Sequence, residues 1–310
     1  MHSSRRRFLQ AAAAFAALSA AGCGRNHLPA YAPASSHVAP PAISGSLRLL
    51  VLGDWGSGQI EQWQVAQGME TLAASLKGFH AGLMLGDNFY PGGVSSIDDP
   101  LWSQYFEQVY DTPHLGQLHW HALLGNHDHA GSVRAQFEYT RKNPRWHMPW
   151  FFWSHTFHSA SGPLVKVVAI DTNRKFGQWA AQMHFLDREL ECSPDLPVVV
   201  CGHHPIYTCG KLGALPRVKY ELRDKLVRAG VKAYISGHEH NQQLIVRDGL
   251  TQLVQGGGGK VLTPLVWKQQ AKGVVFGAEE YGFSVLYADA QGLRFDWRDR
   301  TGKLLHEHTL

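Results

Sequence analysis

Short apolar runs alternate with longer amphipathic stretches along the first two thirds of this 310-residue chain, and the last third repeats apolar and polar residues at strand spacing. This order favours a mostly parallel first sheet with helices outside it, followed by a β-rich end. The predicted helices are 62–76, 100–110, 178–190 and 216–229. The predicted strands are 47–52, 83–85, 120–124, 165–170, 197–200, 233–235, 243–246, 252–254, 283–287, 293–297 and 303–308. The pattern fits two sheets packed face to face with helices on both outer sides.

The first 46 residues carry targeting signals rather than a fold. Arg5 and Arg6 lie in the twin-arginine pattern Ser-Arg-Arg-Arg-Phe-Leu-Gln, and the apolar run 11–22 that follows is too short to span a bilayer. We therefore expect residues 1–23 to be a twin-arginine signal peptide that directs export to the periplasm or cell envelope, with an uncleaved membrane anchor as the alternative. Lipoprotein cleavage at Cys23, giving a lipid anchor, and ordinary cleavage nearby both stay open.

Residues 24–46 are rich in Pro, Ala and Ser without hydrophobic periodicity, which is typical of a flexible linker. The remaining span, 47–310, is predicted to be one catalytic domain. Three of the 29 Lys and Arg residues lie at positions 5–7, which leaves 26 against 25 Asp and Glu residues. A net charge this close to zero gives no reason to expect a nucleic-acid partner or an anionic surface. Among the later cysteines, Cys201 is predicted to be buried and free, and a Cys192–Cys209 disulfide stays open.

Five polar motifs follow predicted strands, and each contains a polar residue directly after a Gly. Side chains at the carboxyl ends of neighbouring strands converge on one crevice, where open α/β sheets bind ligands. Two Asp, one Tyr, one Asn and three His could together hold two metal ions that share a carboxylate. The motifs are Gly53-Asp54-Trp55-Gly56, Gly86-Asp87-Asn88-Phe89-Tyr90, Gly125-Asn126-His127-Asp128, Val200-Cys201-Gly202-His203 and Gly237-His238-Glu239-His240.

This set resembles the purple acid phosphatase branch of the calcineurin-like metallophosphoesterases, and it is especially similar to the mammalian-type tartrate-resistant acid phosphatases. The resemblance extends to Arg145-Trp146, Ile170-Asp171-Thr172 and Asn241, and it covers the chain from about Leu47 to the C-terminus. It implies a four-layer α/β/β/α sandwich with two facing mixed sheets. It also implies hydrolysis of small phosphorylated substrates by a metal-bound hydroxide in acid solution.

The resemblance assigns the metal ligands position by position. The ferric site takes Asp54, Asp87, Tyr90 and His240, and the divalent site shares Asp87 and adds Asn126, His203 and His238. A hard phenolate favours Fe3+, whereas an amide and two imidazoles suit a divalent ion, here Fe2+, Zn2+ or Mn2+.

Three further residues are expected to act beside the metals. His127 is not a ligand in the family pattern, and its expected role is to bind phosphate and assist the leaving group as a general acid. Asp128 or a nearby carbonyl is expected to orient the His127 ring, and His204 is a weaker candidate for substrate contact. The chain departs from the mammalian-type enzymes at Lys211 and Leu212, which stand where those enzymes place a Glu-His pair.

Gly256–Gly259 is not a phosphate-binding loop, because no helix beginning with Lys-Ser or Lys-Thr follows it. We expect a turn between strands beside the site.

The resulting hypothesis is an exported dinuclear-metal acid phosphatase that hydrolyses phosphomonoesters. A metallophosphodiesterase of the same superfamily is one alternative, because the ligand set does not distinguish the two substrate classes. A non-catalytic surface lipoprotein that contains metal is another, and the intact His127 argues against it. The sequence leaves the oligomeric state open.

Overall fold

A computed structural model describes residues 44, 46–173, 178–266 and 272–310. The predicted signal peptide, Cys23 and nearly all of the linker lie outside these residues. Within them, no helix combines the length and apolar character needed to cross a membrane.

Four α-helices and fourteen strands make up the described part of the chain. The helices are α1 (Ile60–Leu76), α2 (Val133–Lys142), α3 (Trp179–Glu191) and α4 (Pro216–Arg228), with shorter helical turns at Trp102–Glu107, Leu115–Gln117 and Asp128–Ala130. The first seven strands are β1 (Leu47–Leu52), β2 (Ala81–Met84), β3 (Trp120–Ala122), β4 (Trp146–His147), β5 (Trp153–Ser159), β6 (Gly162–Ile170) and β7 (Val198–Gly202). The others are β8 (Ala233–Ser236), β9 (Gln242–Arg247), β10 (Leu250–Gln255), β11 (Val274–Ala278), β12 (Gly282–Asp289), β13 (Gly292–Asp299) and β14 (Leu304–Thr309).

The strands form two mixed sheets of seven strands each, with the orders β14-β13-β12-β1-β2-β3-β4 and β11-β9-β10-β8-β7-β6-β5. The predicted α/β arrangement of two sheets with helices is therefore confirmed. The predicted helix at 100–110 is confirmed in its middle by the helical segment Trp102–Glu107, and turn residues follow it up to Tyr110. The sequence pattern does not predict α2, β4, β5 or β11.

Side-chain alternation explains why the two sheets face each other. Leu47, Leu49 and Val51 of β1 share one buried cluster with Val165 and Val167 of β6, so this face of each sheet lies in the inter-sheet core. The intervening side chains form a second cluster with the helices, in which Leu50 and Leu52 pack with Val65 and Met69 of α1. Burying a large aliphatic side chain contributes roughly 1.5–3 kcal/mol, so both faces of β1 stabilise the sandwich.

The parallel strands bring the polar motifs to one edge of the sandwich. β1, β2 and β3 run parallel in the first sheet, and β6, β7, β8 and β10 run parallel in the second. Within each sheet the carboxyl ends are joined by backbone hydrogen bonds, Asp54 N to Gly86 O at 3.1 Å and Gly237 N to His203 O at 3.1 Å. His238 N of the second sheet's end donates to Asp54 Oδ2 of the first at 2.9 Å, so the two sheets meet where the polar motifs begin.

Cys201 and Cys209 both have free thiols. Cys201 is buried on β7. The Cys209 thiol is free and donates to Gln243 Oε1 at 3.2 Å, so the Cys192–Cys209 disulfide that the sequence leaves open is not formed here.

Candidate metal centre

Tyr90 and two carboxylates form the centre of the site. The Tyr90 hydroxyl lies 2.9 Å from Asp87 Oδ2, 3.1 Å from Asp54 Oδ1 and 3.2 Å from His240 Nε2. A phenol has one proton and can satisfy only one of these acceptors at a time. The convergence of so many electron-rich atoms on one buried point fits a cation-binding site.

His203 supplies the clearest sign that a metal belongs here. Its Nδ1 lies 2.8 Å from the Leu85 carbonyl oxygen, which can only accept, so Nδ1 carries the proton. Its Nε2 is fully buried without a hydrogen-bond partner, 3.4 Å from Asp87 Oδ1 and 4.0 Å from Asp54 Oδ1. Burying such an atom unpaired is costly, and a metal ion would use its lone pair.

Ligand atoms of Asp54, Asp87 and His203 all lie within 4.8 Å of one another. Over the described ranges, this is the one group of three or more His, Cys, Asp or Glu residues that meets that spacing.

The remaining predicted ligands lie around this group. His238 Nδ1 is 3.1 Å from Asn126 Oδ1, and the His203 and His238 ring centres are 5.3 Å apart. His240 Nε2 lies 3.5 Å from Asp54 Oδ1, while its Nδ1 lies 2.7 Å from the Val261 carbonyl oxygen. The structure therefore brings all seven predicted ligands to the same edge, and this donor set fits two metal ions. Their roles as ligands stay predictions.

Backbone conformation brings the two halves of the site close together. Asp54, Asp87 and His238 have φ values of 57°, 52° and 68°, in the left-handed region that non-glycine residues seldom occupy. Such strain persists only where the surrounding structure enforces it, and it concentrates at functional sites. A Cβ on Gly125 would lie 2.2 Å from Asp87 Oδ1, and one on Gly237 would lie 2.5 Å from Asp54 Oδ2. Only glycine permits these approaches.

Burial sets the protonation of the site in the absence of metal. Burial and repulsion from Asp87 raise the pKa of Asp54 well above its usual value, against the attraction of His203. Burial also acts on Asp87, but the charge of His203 outweighs it and lowers that pKa. Burial and the two carboxylates raise the pKa of Tyr90 well above 10.0. Bound metal ions would offset the repulsion between the two buried carboxylates, and the pKa shifts therefore also fit a metal centre.

The pKa values of two neighbouring imidazoles, those of His203 and His238, are shifted in opposite directions. Although burial alone would lower the pKa of His203, the charge of Asp87 and the other contacts raise it to about 10. Burial and the neighbouring His203 lower the pKa of His238 to about 3. The neutral form of His238 is the form that binds metal.

His127 lies beside the centre rather than within it. Its backbone N donates to Asp87 Oδ1 at 2.9 Å, and its Nε2 lies 3.9 Å from Asp87 Oδ2. Its Nδ1 is 2.6 Å from the Pro91 carbonyl oxygen, which fixes the Nδ1–H tautomer and leaves Nε2 facing the carboxylate. The side chain is 38% exposed, so a substrate can reach it. Of the two orienting groups expected from the sequence, the carbonyl is the one in contact.

Asp128 instead holds the loops that carry the predicted ligands. Its carboxylate accepts from Asn88 N at 3.1 Å, Gly125 N at 2.8 Å and Gln136 Nε2 at 2.8 Å. Burial and repulsion from Asp87 raise its pKa to about 6, although these donors oppose the shift. Asp128 therefore connects the segments that begin at Asp87 and Asn126. The sequence reading missed Asn88 and Gln136, and only the position of Asn88 directly after Asp87 could have indicated its part.

His204 packs behind the predicted divalent site. Its ring centre is 4.5 Å from that of His238, and its Nδ1 lies 2.8 Å from Thr172 Oγ1. Burial and the neighbouring histidines lower the pKa of His204 well below its usual value. Another pair of buried side chains, which the sequence pattern does not predict, is formed by His129 and Asp171, with Nε2 2.9 Å from Oδ2.

Lys211 and Leu212 lie on an exposed segment that is hydrogen-bonded to Glu239, the residue between the predicted ligands His238 and His240. Glu239 is buried and accepts from Gly213 N at 2.6 Å, and Lys211 N donates to the Pro264 carbonyl at 3.2 Å. The Leu212 side chain is 48% exposed. The segment thus borders the site without an acidic group at the two positions where the mammalian-type enzymes carry Glu-His.

Comparison with known proteins agrees with this geometry. The family model for calcineurin-like phosphoesterases matches residues 47–242. The chain is 31% identical to purple acid phosphatase 7 of Arabidopsis thaliana, covering 88% of this chain and 89% of that protein. It is 28% identical to tartrate-resistant acid phosphatase type 5 of Oryctolagus cuniculus, covering 86% of this chain and 91% of that protein.

Solved structures share the fold at lower identity. GAP50, described as the anchor in the inner membrane complex of Plasmodium, superimposes with a TM-score of 0.76 at 23% identity, covering 86% of this chain and 89% of that one. Purple acid phosphatase PPD1 of Lupinus luteus gives a TM-score of 0.68 at 16% identity, covering 86% of this chain and 54% of that one.

The chain belongs to the calcineurin-like phosphoesterase family. Within that family it is a purple acid phosphatase-like, metal-dependent phosphoester hydrolase, and the likeness implies a dinuclear metal centre, generally with iron. Its substrates are accordingly small phosphorylated compounds.

Proposed function

We propose that this protein is an exported acid phosphatase that hydrolyses phosphomonoesters at a centre of Fe3+ and one divalent ion. The observation that supports this most directly is the buried Nε2 of His203, which makes no hydrogen bond, beside Asp54 and Asp87, with the Tyr90 hydroxyl on the same carboxylates. A phenolate ligand is suited to a hard trivalent ion. When bound, the two ions compensate the charge of the phosphate group and activate the attacking water.

The protein's own residues hold the substrate and move protons. His127 has an accessible side chain, and Pro91 fixes its tautomer so that Nε2 is the atom available to the leaving-group oxygen. With a proton on Nε2 as well, the ring would donate to that oxygen as the ester bond breaks. Asp128 keeps the His127 loop against the Asp87 loop, which preserves this alignment.

The proposal for export rests on the twin-arginine pattern, which lies outside the described residues. This pathway carries folded proteins, so a metal centre could assemble before translocation. Anchoring by a lipid at Cys23 is part of the same proposal.

Turnover of two nitrophenyl esters tests the proposed activity. The purified, metal-loaded protein should hydrolyse nitrophenyl phosphate in acid solution much faster than bis-nitrophenyl phosphate. A preference for the diester would instead favour a metallophosphodiesterase. If protein that retains its metals hydrolyses neither ester, a non-catalytic role would be favoured, such as that of GAP50, which is described as an anchor in Plasmodium.

A further inference from the structure

Lys260 is attached to one half of the candidate metal centre through three residues. Its backbone N donates to the Asp54 carbonyl at 3.0 Å, and the next carbonyl along the chain, that of Val261, lies 2.7 Å from His240 Nδ1. Its Nζ lies 4.6 Å from the centre of the Tyr90 ring. Asp54, Tyr90 and His240 are the ligands predicted for the trivalent ion besides the bridging Asp87. Lys260 therefore belongs to this half of the centre.

The glycine run before Lys260 fixes its position. Gly258 N donates to the Gly53 carbonyl at 3.1 Å, and a Cβ on Gly258 would lie 2.3 Å from that oxygen. Ser57 Oγ donates to the Gly259 carbonyl at 2.9 Å. The run therefore packs directly on the strand end that carries Asp54, and the lysine leaves the loop at the edge of the site. The glycine run Gly256–Gly259, predicted as a turn between strands, thus holds Lys260 in place.

The charge of Lys260 lacks an acidic partner. The residue is half-buried, and within the described ranges its ammonium forms no ion pair with a carboxylate. Its ammonium lies over the Tyr90 ring, and the carbonyl of the next residue, Val261, contacts the His240 ring. An ammonium that has no carboxylate partner and lies beside a predicted metal centre would be stabilised by an anion bound in the same crevice. Phosphate is such an anion.

We propose that Lys260 binds the phosphate group of the substrate and selects dianionic phosphomonoesters over monoanionic phosphodiesters. This inference rests on the proposed phosphatase function and deepens it, because it assigns the choice of substrate class to one residue. A monoester carries a second negative charge above its second pKa of about 6, which a diester lacks. The ammonium therefore attracts the monoester more strongly, and a charge-assisted hydrogen bond to a non-bridging oxygen adds directional contact.

Two substitutions separate the charge of Lys260 from its packing. Lys260→Met keeps a long apolar stem over the Tyr90 ring and removes the charge, whereas Lys260→Arg keeps the charge. Lys232→Met is the matched control. Lys232 is exposed and directly precedes β8, whereas the site lies at the carboxyl ends of the strands. Metal content is measured for each variant, so that a loss of ions is recognised.

The readouts are KM and kcat for both nitrophenyl esters and the Kd for inorganic phosphate, measured by calorimetry. Lys260→Met should weaken phosphate binding and raise KM for the monoester by ~10-fold or more, the effect of losing one charge-assisted hydrogen bond, with a clearly smaller rise for the singly charged diester. The rise in KM for the monoester should become larger as pH rises through about 6, because the monoester gains its second negative charge there. Lys260→Arg should restore most of the loss, and Lys232→Met should match the wild type.

Two results would overturn the inference while leaving the phosphatase intact. One is a Lys260→Met protein with wild-type phosphate affinity and an unchanged ratio of monoester to diester turnover. The other is an equal loss on both substrates, which indicates a structural role. A wild type that neither binds phosphate nor hydrolyses either ester would overturn the proposed function itself.

Discussion

The Tyr90 hydroxyl donates to Asp87 Oδ2 at 2.9 Å, although both residues are buried and only three positions apart in the chain. The left-handed φ of 52° at Asp87 turns the chain sharply at this point, so both side chains face the same centre. This contact joins the predicted bridging carboxylate to the predicted phenolate ligand. Loss of the phenol proton and binding of a cation at this point are therefore coupled.

The first prediction separates proton donation from metal binding. His127→Ala should retain both ions, because His127 contributes to the Asp87 contact through its backbone N. Turnover should fall by roughly 10²–10⁴, the usual contribution of a positioned acid or base. The fall should be smaller for an ester whose leaving group is already stable as an anion. Steady-state kinetics with two leaving groups and metal analysis of the same sample test this.

Asn126→Ala is the comparison for His127→Ala. Asn126 Oδ1 lies 3.1 Å from His238 Nδ1 on the predicted divalent side, so this variant should lose part of its metal and recover activity with added divalent ion. Metal loss in His127→Ala, or wild-type activity of that variant on a poor leaving group, would contradict the division of roles.

The second prediction concerns stability against pH. One carboxylate oxygen of Glu70 on α1 accepts from His114 N at 3.2 Å and from the Thr112 hydroxyl, and the other lies 2.6 Å from His114 Nδ1. Burial raises the pKa of Glu70, but the hydrogen bonds of Thr112 and His114 outweigh it and lower the pKa below 4.5. Because the folded pKa is depressed, the contribution to stability is present above about 4.5 and is lost as pH falls through the folded value.

Glu70→Gln should therefore lower the free energy of unfolding by about 1–2 kcal/mol at pH 7. The difference from the wild type should narrow below pH ~4.5. Denaturant unfolding at several pH values measures this. Glu138→Gln is the control, because Glu138 makes an exposed pair with Arg134 one helical turn away and should change stability by under ~0.5 kcal/mol. An unfolding difference for Glu70→Gln that persists undiminished at pH 3 would contradict the assignment.

The sequence predicts that the polar side chains of the site lie together better than it predicts several elements around them. Asp54, Asp87, His203 and His238 each come shortly after an apolar strand, so their positions follow from the rule that parallel strands end at one edge. That inference needs no knowledge of how the two sheets pack.

The missed elements lack a local signal because tertiary contacts define them. In α2 the buried face includes Gln136, which is satisfied by Asn88 and Asp128 rather than by apolar neighbours, so the apolar periodicity is broken. The same contacts decide the place of Asp128, which the sequence alone cannot show. In β5, the inward Trp153 and Phe157 are separated by polar residues, and β11 is a half-exposed strand at the edge of its sheet.

The third prediction concerns export. Replacing both Arg5 and Arg6 by Lys should leave the precursor in the cytoplasm, because the export machinery reads the paired guanidinium groups. The double change is needed because Arg7 offers a shifted pair with Arg6. Cell fractionation measures the outcome, and normal export of the double variant would contradict the twin-arginine assignment.

The fourth prediction concerns the lipid anchor. Cys23→Ser should move the protein from the membrane fraction to the soluble fraction of the cell envelope, because the acylated thiol is lost. A control variant, Cys192→Ser, removes an exposed cysteine of the folded domain and should leave the distribution unchanged. The same distribution for Cys23→Ser and the wild type would count against acylation.

Metal analysis combined with a visible absorption spectrum shows directly whether the protein holds a dinuclear centre with Tyr90 on a ferric ion. The wild type should contain about two metal ions per chain, at least one of them iron, and should show a broad visible band from phenolate-to-iron charge transfer. Tyr90→Phe should lose that band. An active, iron-containing wild type without a visible band, or a Tyr90→Phe protein that keeps the band, would contradict the account.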